Sequence, residues 1–459
     1  MIRAALVALL VATASTTATG ATTAGGEAAA AGPVAGKAAA AGPVAGRAAC
    51  AGPGDFDGDG LEDVAVGDPF GTGGQGADGD SADGQGADGQ DADKQGAGGE
   101  GAGDQGDGAG DGDTGVVHVL SGGKVIPVTV PGLAAGDGFG WSVRLAKVDG
   151  DACADLVVGA PFTDVRGVRD AGAAYVVYGG NTAPPAQLAA IAPQRDAHFG
   201  WSLAARGDLV TIGAPYEDES GRADTGAVYV RKGEGPLRRI SQESERVPGN
   251  GEVGDQFGWS LAMGAGNELI VGVPYENDDG SGLQIGTGKI DSGSVVAIKD
   301  VLQARLSGTK LDSPTGASGD RYGYALAYAE GTGLAVGAPG PGYVQLLDTG
   351  LTPVRTVRQG GGQAFGFALA ASSDGRLAIG APYGGGVRLV SFRDAAEDRT
   401  AVPPGDLAGY AVAFSGNKLY VGQPDAAPYG KVSVLARNSG DLRALQPRQG
   451  ADFGMSISG

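Results

Sequence analysis

Phe139-Gly140-Trp141, Phe199-Gly200-Trp201 and Phe257-Gly258-Trp259 hold all three tryptophans of the chain. Each is followed, after an apolar run, by Gly-x-Pro: Gly159-Ala160-Pro161, Gly213-Ala214-Pro215 and Gly272-Val273-Pro274. The pair recurs in altered form as Tyr322-Gly323-Tyr324 with Gly337-Ala338-Pro339, and as Phe365-Gly366-Phe367 with Gly380-Ala381-Pro382. A further copy is Ala408-Gly409-Tyr410 with Gly422-Gln423-Pro424. Two halves are left over. Gly67-Asp68-Pro69 has no Phe-Gly before it, and Phe453-Gly454-Met455 has no Gly-x-Pro after it. Self-similarity at this period marks a repeat array. Its last half-unit complements its first.

Within a unit the Phe-Gly and Gly-x-Pro segments each lead or end a short apolar run. A third run follows Asp170-Ala171-Gly172, Asp224-Thr225-Gly226 and Asp291-Ser292-Gly293, and a variable fourth follows that. Four short strands per unit and seven units describe an all-β, seven-bladed β-propeller. Phe453 to Gly459 aligns with Phe139 to Leu145, so the final strand is expected to complete the first blade as its innermost strand. That arrangement leaves no open edge at the seam. A bulky residue follows each Phe-Gly step, and packing between blades is the role expected for it.

Composition agrees. The 459 residues are 42% hydrophobic, enough for a large core, and 89 of them are glycine, which strands need at their turns. A net charge of −20 argues against nucleic acid or an anionic membrane surface as partner and suits divalent cations. Residues 1–20, with Arg3 before a short apolar run, read as a secretory signal cleaved between 18 and 24. The run is too short to span a bilayer, so an exported, monomeric protein without membrane insertion is expected. Residues 21–49 read as an Ala/Gly/Pro linker, with the propeller over 50–459. The stretch 71–113 holds ten Asp, one Glu, one Lys and no large apolar residue, so it is expected to be a disordered surface insertion.

The sharpest chemistry lies at Asp55-Phe56-Asp57-Gly58-Asp59-Gly60-Leu61-Glu62-Asp63. Carboxylates at positions 1, 3, 5 and 9, with glycine at 6, match a calcium loop, and the Leu61 carbonyl would fill position 7. No helix follows, so this is not an EF-hand; the loop feeds the strand at Val64. In the second unit Asp149, Asp151 and Asp155 remain, but Lys147 stands where Asp55 does. That loop is either a weaker metal site or one bridged by the lysine ammonium. Later units delete it.

Phe-Gly followed by Gly-Ala-Pro, with Asp-x-Asp-x-Asp-Gly-x-x-Asp between, resembles the FG-GAP repeats of the integrin α-chain propeller and of secreted bacterial FG-GAP proteins. The resemblance covers about residues 50–459. It implies calcium loops on a lower face and ligands bound by upper-face loops. Only Asp55, Asp57, Asp59 and Asp63 keep the full metal pattern, and no integrin leg follows, so receptor signalling does not carry over.

A calcium-dependent binding or adhesion module, with an extracellular protein or glycan as partner, is the function expected; an unrecognised secreted hydrolase is the alternative. No Gly-x-Ser-x-Gly elbow is present, and the two histidines, His118 and His198, read as structural. The serines after Gly-Trp (Ser142, Ser202, Ser260) repeat with the fold and are expected to bond backbone. Cys50 and Cys153, the only cysteines, are expected to pair in an oxidising compartment. The loops after Gly-x-Pro are long in the first four units, and Glu217, Asp218, Glu219, Glu276, Asp278 and Asp279 there suggest an acidic partner-binding rim.

Overall fold

The computed structural model describes residues 50, 52, 54–71, 113–181, 183–277, 289–359, 362–436, 442–445 and 451–459. The expected leader and linker, residues 72–112 of the insertion, and Asp278 and Asp279 lie outside the described residues. Seven four-stranded antiparallel sheets form a closed ring. The innermost strands are Ser142–Ala146, Leu203–Arg206, Ser260–Met263, Leu326–Ala329, Ala368–Ala371, Val412–Ser415 and Ser456–Ser458. Each touches the next around the axis. The protein is a seven-bladed β-propeller.

The seam closes as the orphan halves require. Ser456–Ser458 pairs antiparallel with Val64–Asp68, in the register Ala65↔Ser458, Val66↔Ile457 and Gly67↔Ser456. Val116–Ser121 and Lys124–Val128 then complete the first blade. The buried Asp68 carboxylate accepts the backbone N–H groups of Ala451 and Asp452, both at 2.9 Å, which fixes the returning chain.

Hydrophobic burial is divided into seven clusters, each between two neighbouring blades. Phe139, Phe199, Phe257, Tyr322, Phe365 and Phe453 are wholly buried at six of these junctions, and Ala408 takes the place at the seventh. Each large side chain removed from water there contributes roughly 2–3 kcal/mol. The aromatic of Phe-Gly is therefore the mortar between blades.

The glycines are explained by close approach. A Cβ on Gly67 would lie 1.9 Å from the carbonyl oxygen of Gly140 in the next blade. The same near-contact, at 2.0–2.2 Å, faces Gly159, Gly213, Gly272, Gly337, Gly380 and Gly422. So the glycine of Gly-x-Pro in one blade receives the backbone of Phe-Gly from its neighbour at all seven junctions. Ser142, Ser202, Ser260 and Ser456 donate their hydroxyls to the same carbonyls, at 2.7–2.8 Å. These serines bond backbone, as the repeat pattern suggests.

Candidate functional site

Antiparallel strands alternate their turns between two faces. The loops joining first to second strands lie on one face, and 55–63 is among them. The Phe-Gly turns and the loops after Gly-x-Pro lie on the other.

In the 55–63 loop, the Asp55 carboxylate accepts the N–H groups of Gly58 (2.8 Å) and Gly60 (3.0 Å), which curls the chain around it. Gly60 has φ +86°, the left-handed turn that its position in the loop calls for. Asp63 Oδ2 accepts the Phe56 N–H at 2.7 Å. Carboxylate oxygens of Asp55, Asp57 and Asp63 come within 4.8 Å of one another. The Asp63 Oδ1 atom is buried with no hydrogen-bond donor, and burial raises this carboxyl above its usual range against the pull of the Phe56 N–H. Three converging acids with a desolvated, unbonded oxygen suit a hard divalent cation. Asp59 turns aside: its Oδ2 accepts the Ser121 hydroxyl at 3.0 Å. The side chain of Leu61 is exposed.

The second loop is organised differently. Asp155 accepts the N–H groups of Val148 (2.6 Å), Asp149 (3.2 Å) and Gly179 (3.1 Å). Asp149 accepts from Asn181 at 3.0 Å, and Asp151 from the Cys153 N–H at 2.8 Å. Lys147 donates to the Ala152 carbonyl instead of bridging the carboxylates. Among the described residues, Asp55, Asp57 and Asp63 are the one such convergent group.

Cys50 and Cys153 form a disulfide. It ties the approach to the first loop onto the second, beside bonds from Ala154 N–H to the Asp55 carbonyl (2.8 Å) and from Gly180 N–H to the Phe56 carbonyl (3.0 Å).

Two of the expected rim carboxylates, Glu217 and Glu276, are interior. Glu217 is buried, held 2.5 Å from Arg239 Nε, and accepts the Tyr229 hydroxyl at 2.8 Å. Glu219 pairs with the same guanidinium at 2.9 Å. Glu276 is buried against Lys310 (3.2 Å) and Gln242 (3.0 Å). Buried carboxylates are stable only when so paired. Asp218 remains exposed. The signal available in the sequence was a basic residue in the fourth strand of each of these blades, Arg239 beside Arg238 in one and Lys310 in the other.

The bulky residue after Phe-Gly packs against its counterpart in the next blade, as expected, and does so at the axis. Trp141, Trp201, Trp259, Tyr324, Phe367 and Tyr410 follow one another around the axis, with ring centroids 4.8–5.4 Å apart. Besides packing blade against blade, they wall an axial cavity of about 310 Å³ that Met455 also lines. A tight turn sends the two large residues apart. The Trp141 N–H bonds the Gly138 carbonyl at 3.0 Å, and Gly140 has φ +102° at the third turn position, where a type II turn needs glycine. Phe139 then enters the junction while Trp141 faces the axis.

The FG-GAP repeat family matches residues 139–177 and 186–231, which fall on the second and third blades of this ring. FG-GAP repeats thus lie on two blades of this propeller. It is similar to integrin alpha-7 of Rattus norvegicus, 32% identical over 177 residues, covering 34% of this chain and 15% of the relative. It is also similar to integrin alpha-PS2 of Drosophila melanogaster, 29% identical over 250 residues, covering 49% of this chain and 15% of the relative. The match thus spans about one-seventh of each integrin chain. Among solved structures, a streptogramin B lyase aligns with TM-score 0.49 and 8% identity, over 70% of this chain and 85% of that one.

Both histidines of the propeller are built into it. His198 is bonded through Nδ1 to the Pro161 carbonyl at 3.1 Å. His118 is buried in the first blade, edge-on to Phe453 of the closing segment, and burial pushes it down to about 4. The unfolded chain, at the ordinary 6.5, takes up a proton sooner. The His118 contribution is therefore intact above pH 6.5 and lost as pH falls from 6.5 toward 4. Asp68, raised to about 6 chiefly by burial, works in the opposite sense over part of that window. Comparing variants separates them. His118→Phe should reduce the stability lost between pH 7 and pH 4.5 by about 2 kcal/mol, measured by denaturant unfolding at both pH values. An unaltered pH dependence would show that the imidazole does not charge on unfolding.

Proposed function

We propose that the chain is an extracellular binding or adhesion module whose propeller is stabilised by calcium at its seam. The observation that carries the metal assignment is the cluster of Asp55, Asp57 and Asp63 around a buried, unbonded carboxylate oxygen. These three carboxylates, with the Leu61 carbonyl, would hold the ion, and Asp59 stands beside them bonded to Ser121. Calcium supplies a charge that relieves repulsion among the acids. Exposed FG-GAP repeats similar to those of integrin α chains support ligand recognition, and the disulfide suits an oxidising, exported location. No helix among the described residues is long and apolar enough to cross a membrane. Residues 1–20 would direct export.

Two measurements test the reading. Calcium at about 100 times its dissociation constant should add roughly 2.7 kcal/mol to stability. Asp57→Ala should remove most of the corresponding shift in melting temperature; an unchanged shift would place the ion elsewhere. For recognition, the purified protein should retain surface glycans or envelope protein in a pull-down with calcium and release them with a chelator. Retention indifferent to calcium would separate binding from the metal loop, and no retention at all would defeat the module reading.

A further inference from the structure

The axial cavity is lopsided. In most blades the residue after Gly-x-Pro is aromatic: Phe162, Tyr216, Tyr275 and Tyr383 form an outer tier that stacks on the inner ring or on its flanking side chains. In the seventh blade that residue is Asp425 and in the fifth it is Gly340, whose backbone lies against Gly319; the cavity reaches Pro339 and Gly340 in the fifth. Into the same sector comes Arg321, the residue preceding Tyr322-Gly323.

That position is left-handed in blade after blade: Gly138, His198, Gln256, Arg321, Ala364 and Leu407 all have positive φ. The turn fixes where the side chain leaves the backbone. Arg321 lies with its guanidinium 5.4 Å above the Tyr275 ring, and its Nε is buried with no acceptor. Its backbone N–H bonds the Asp291 carbonyl at 2.9 Å, and the Asp291 carboxylate feels its charge, yet no ion pair joins the two side chains. The cavity lining contains no carboxylate, although the chain carries 53 acidic residues. One unsatisfied cation thus faces an aromatic chamber in a protein of net charge −20.

We propose that this cavity binds an acidic sugar, a uronate-type pyranose, with its carboxylate on Arg321 and an apolar ring face against the tryptophan wall. A guanidinium recognises a carboxylate through two parallel charge-assisted hydrogen bonds. Aromatic faces cover the C–H face of a pyranose and leave its hydroxyls to the open mouth. At about 310 Å³ the chamber sits at the small end of ligand sites, sized for one or two sugar rings. This names a ligand class for the glycan-binding reading given above and rests on it.

All three tryptophans line the cavity, so intrinsic fluorescence reports on it directly. The probes are a galacturonate tetramer and its fully methyl-esterified, uncharged counterpart. The acid should change tryptophan emission saturably, and the ester should bind on the order of tenfold more weakly or worse. Arg321→Asn, chosen because asparagine tolerates the left-handed backbone, should remove that preference while leaving the melting temperature and circular dichroism unchanged. Trp201→Ala should weaken both probes. No saturable response to the acid, equal affinity for the ester, or undiminished binding by Arg321→Asn overturns the proposal. If the protein then still captures surface glycans with calcium, only the cavity assignment falls. If it captures nothing, the module reading falls with it.

Discussion

Gly422→Ala is expected to open the ring where the chain meets its own end. A Cβ at 422 would stand 2.0 Å from the carbonyl oxygen of Gly454 and 3.0 Å from its carbonyl carbon, and both are backbone atoms with no rotamer to yield. The closing strand is only Ser456–Ser458, held by three register pairs to Val64–Asp68 and by the two bonds from 451 and 452 to Asp68. Displacing it exposes Phe453 and Ile457, both buried in the cluster between the seventh and first blades. Relief by small shifts costs about 1–3 kcal/mol in ordinary overpacked cores, and a backbone clash at a short strand should exceed that, at about 3 kcal/mol or more. Denaturant unfolding of the variant beside Gly52→Ala, where an added Cβ meets nothing within 4 Å, measures it. A Gly422→Ala protein as stable as the Gly52→Ala control would mean the junctions can spread, and the glycine pairs would need another explanation.

The same glycines explain how much of the architecture could be read from the chain. A repeat whose two signature halves meet across a junction must carry both halves in every copy, and a split copy at the two ends must close on itself. The convergence of Asp55, Asp57 and Asp63 was equally legible, because the spacing of that loop is local. What escaped were contacts whose partners lie far along the chain or around a turn. Asp59 fits the loop pattern, but its carboxylate is engaged by Ser121, on the third strand of the same blade. Glu217 and Glu276 look like rim charges until Arg239 and Lys310 are folded against them. Phe and Trp on either side of one glycine look alike to hydrophobicity, and only the positive φ between them decides which is core and which faces the axis. Arg321 was visible as the one arginine in the column before Phe-Gly. Nothing local marked it as lining a cavity.

Replacing both Cys50 and Cys153 by serine is expected to cost stability and calcium affinity together. The bond spans 103 residues of sequence. Cross-linking about 100 residues restricts the unfolded chain by up to about 4.7 kcal/mol on the entropic account, and loss of native disulfides typically costs about 2–5 kcal/mol. The effect should reach the metal loop because the tether ends beside it. Asp55 and Phe56 give their carbonyls to Ala154 and Gly180 of the second blade, and Cys153 lies next to the first of these. Without the covalent link the loop would have to be ordered by those two hydrogen bonds and its own carboxylate turns. Each such bond contributes only about 1 kcal/mol net. Part of the calcium binding energy would then go into ordering the loop. The double variant should therefore unfold at lower denaturant in a chelator and need more calcium to reach half of its stabilisation. If it unfolds with the parent in chelator and binds calcium equally well, the backbone bonds alone hold the loop in place, and the disulfide contributes to neither stability nor the metal site.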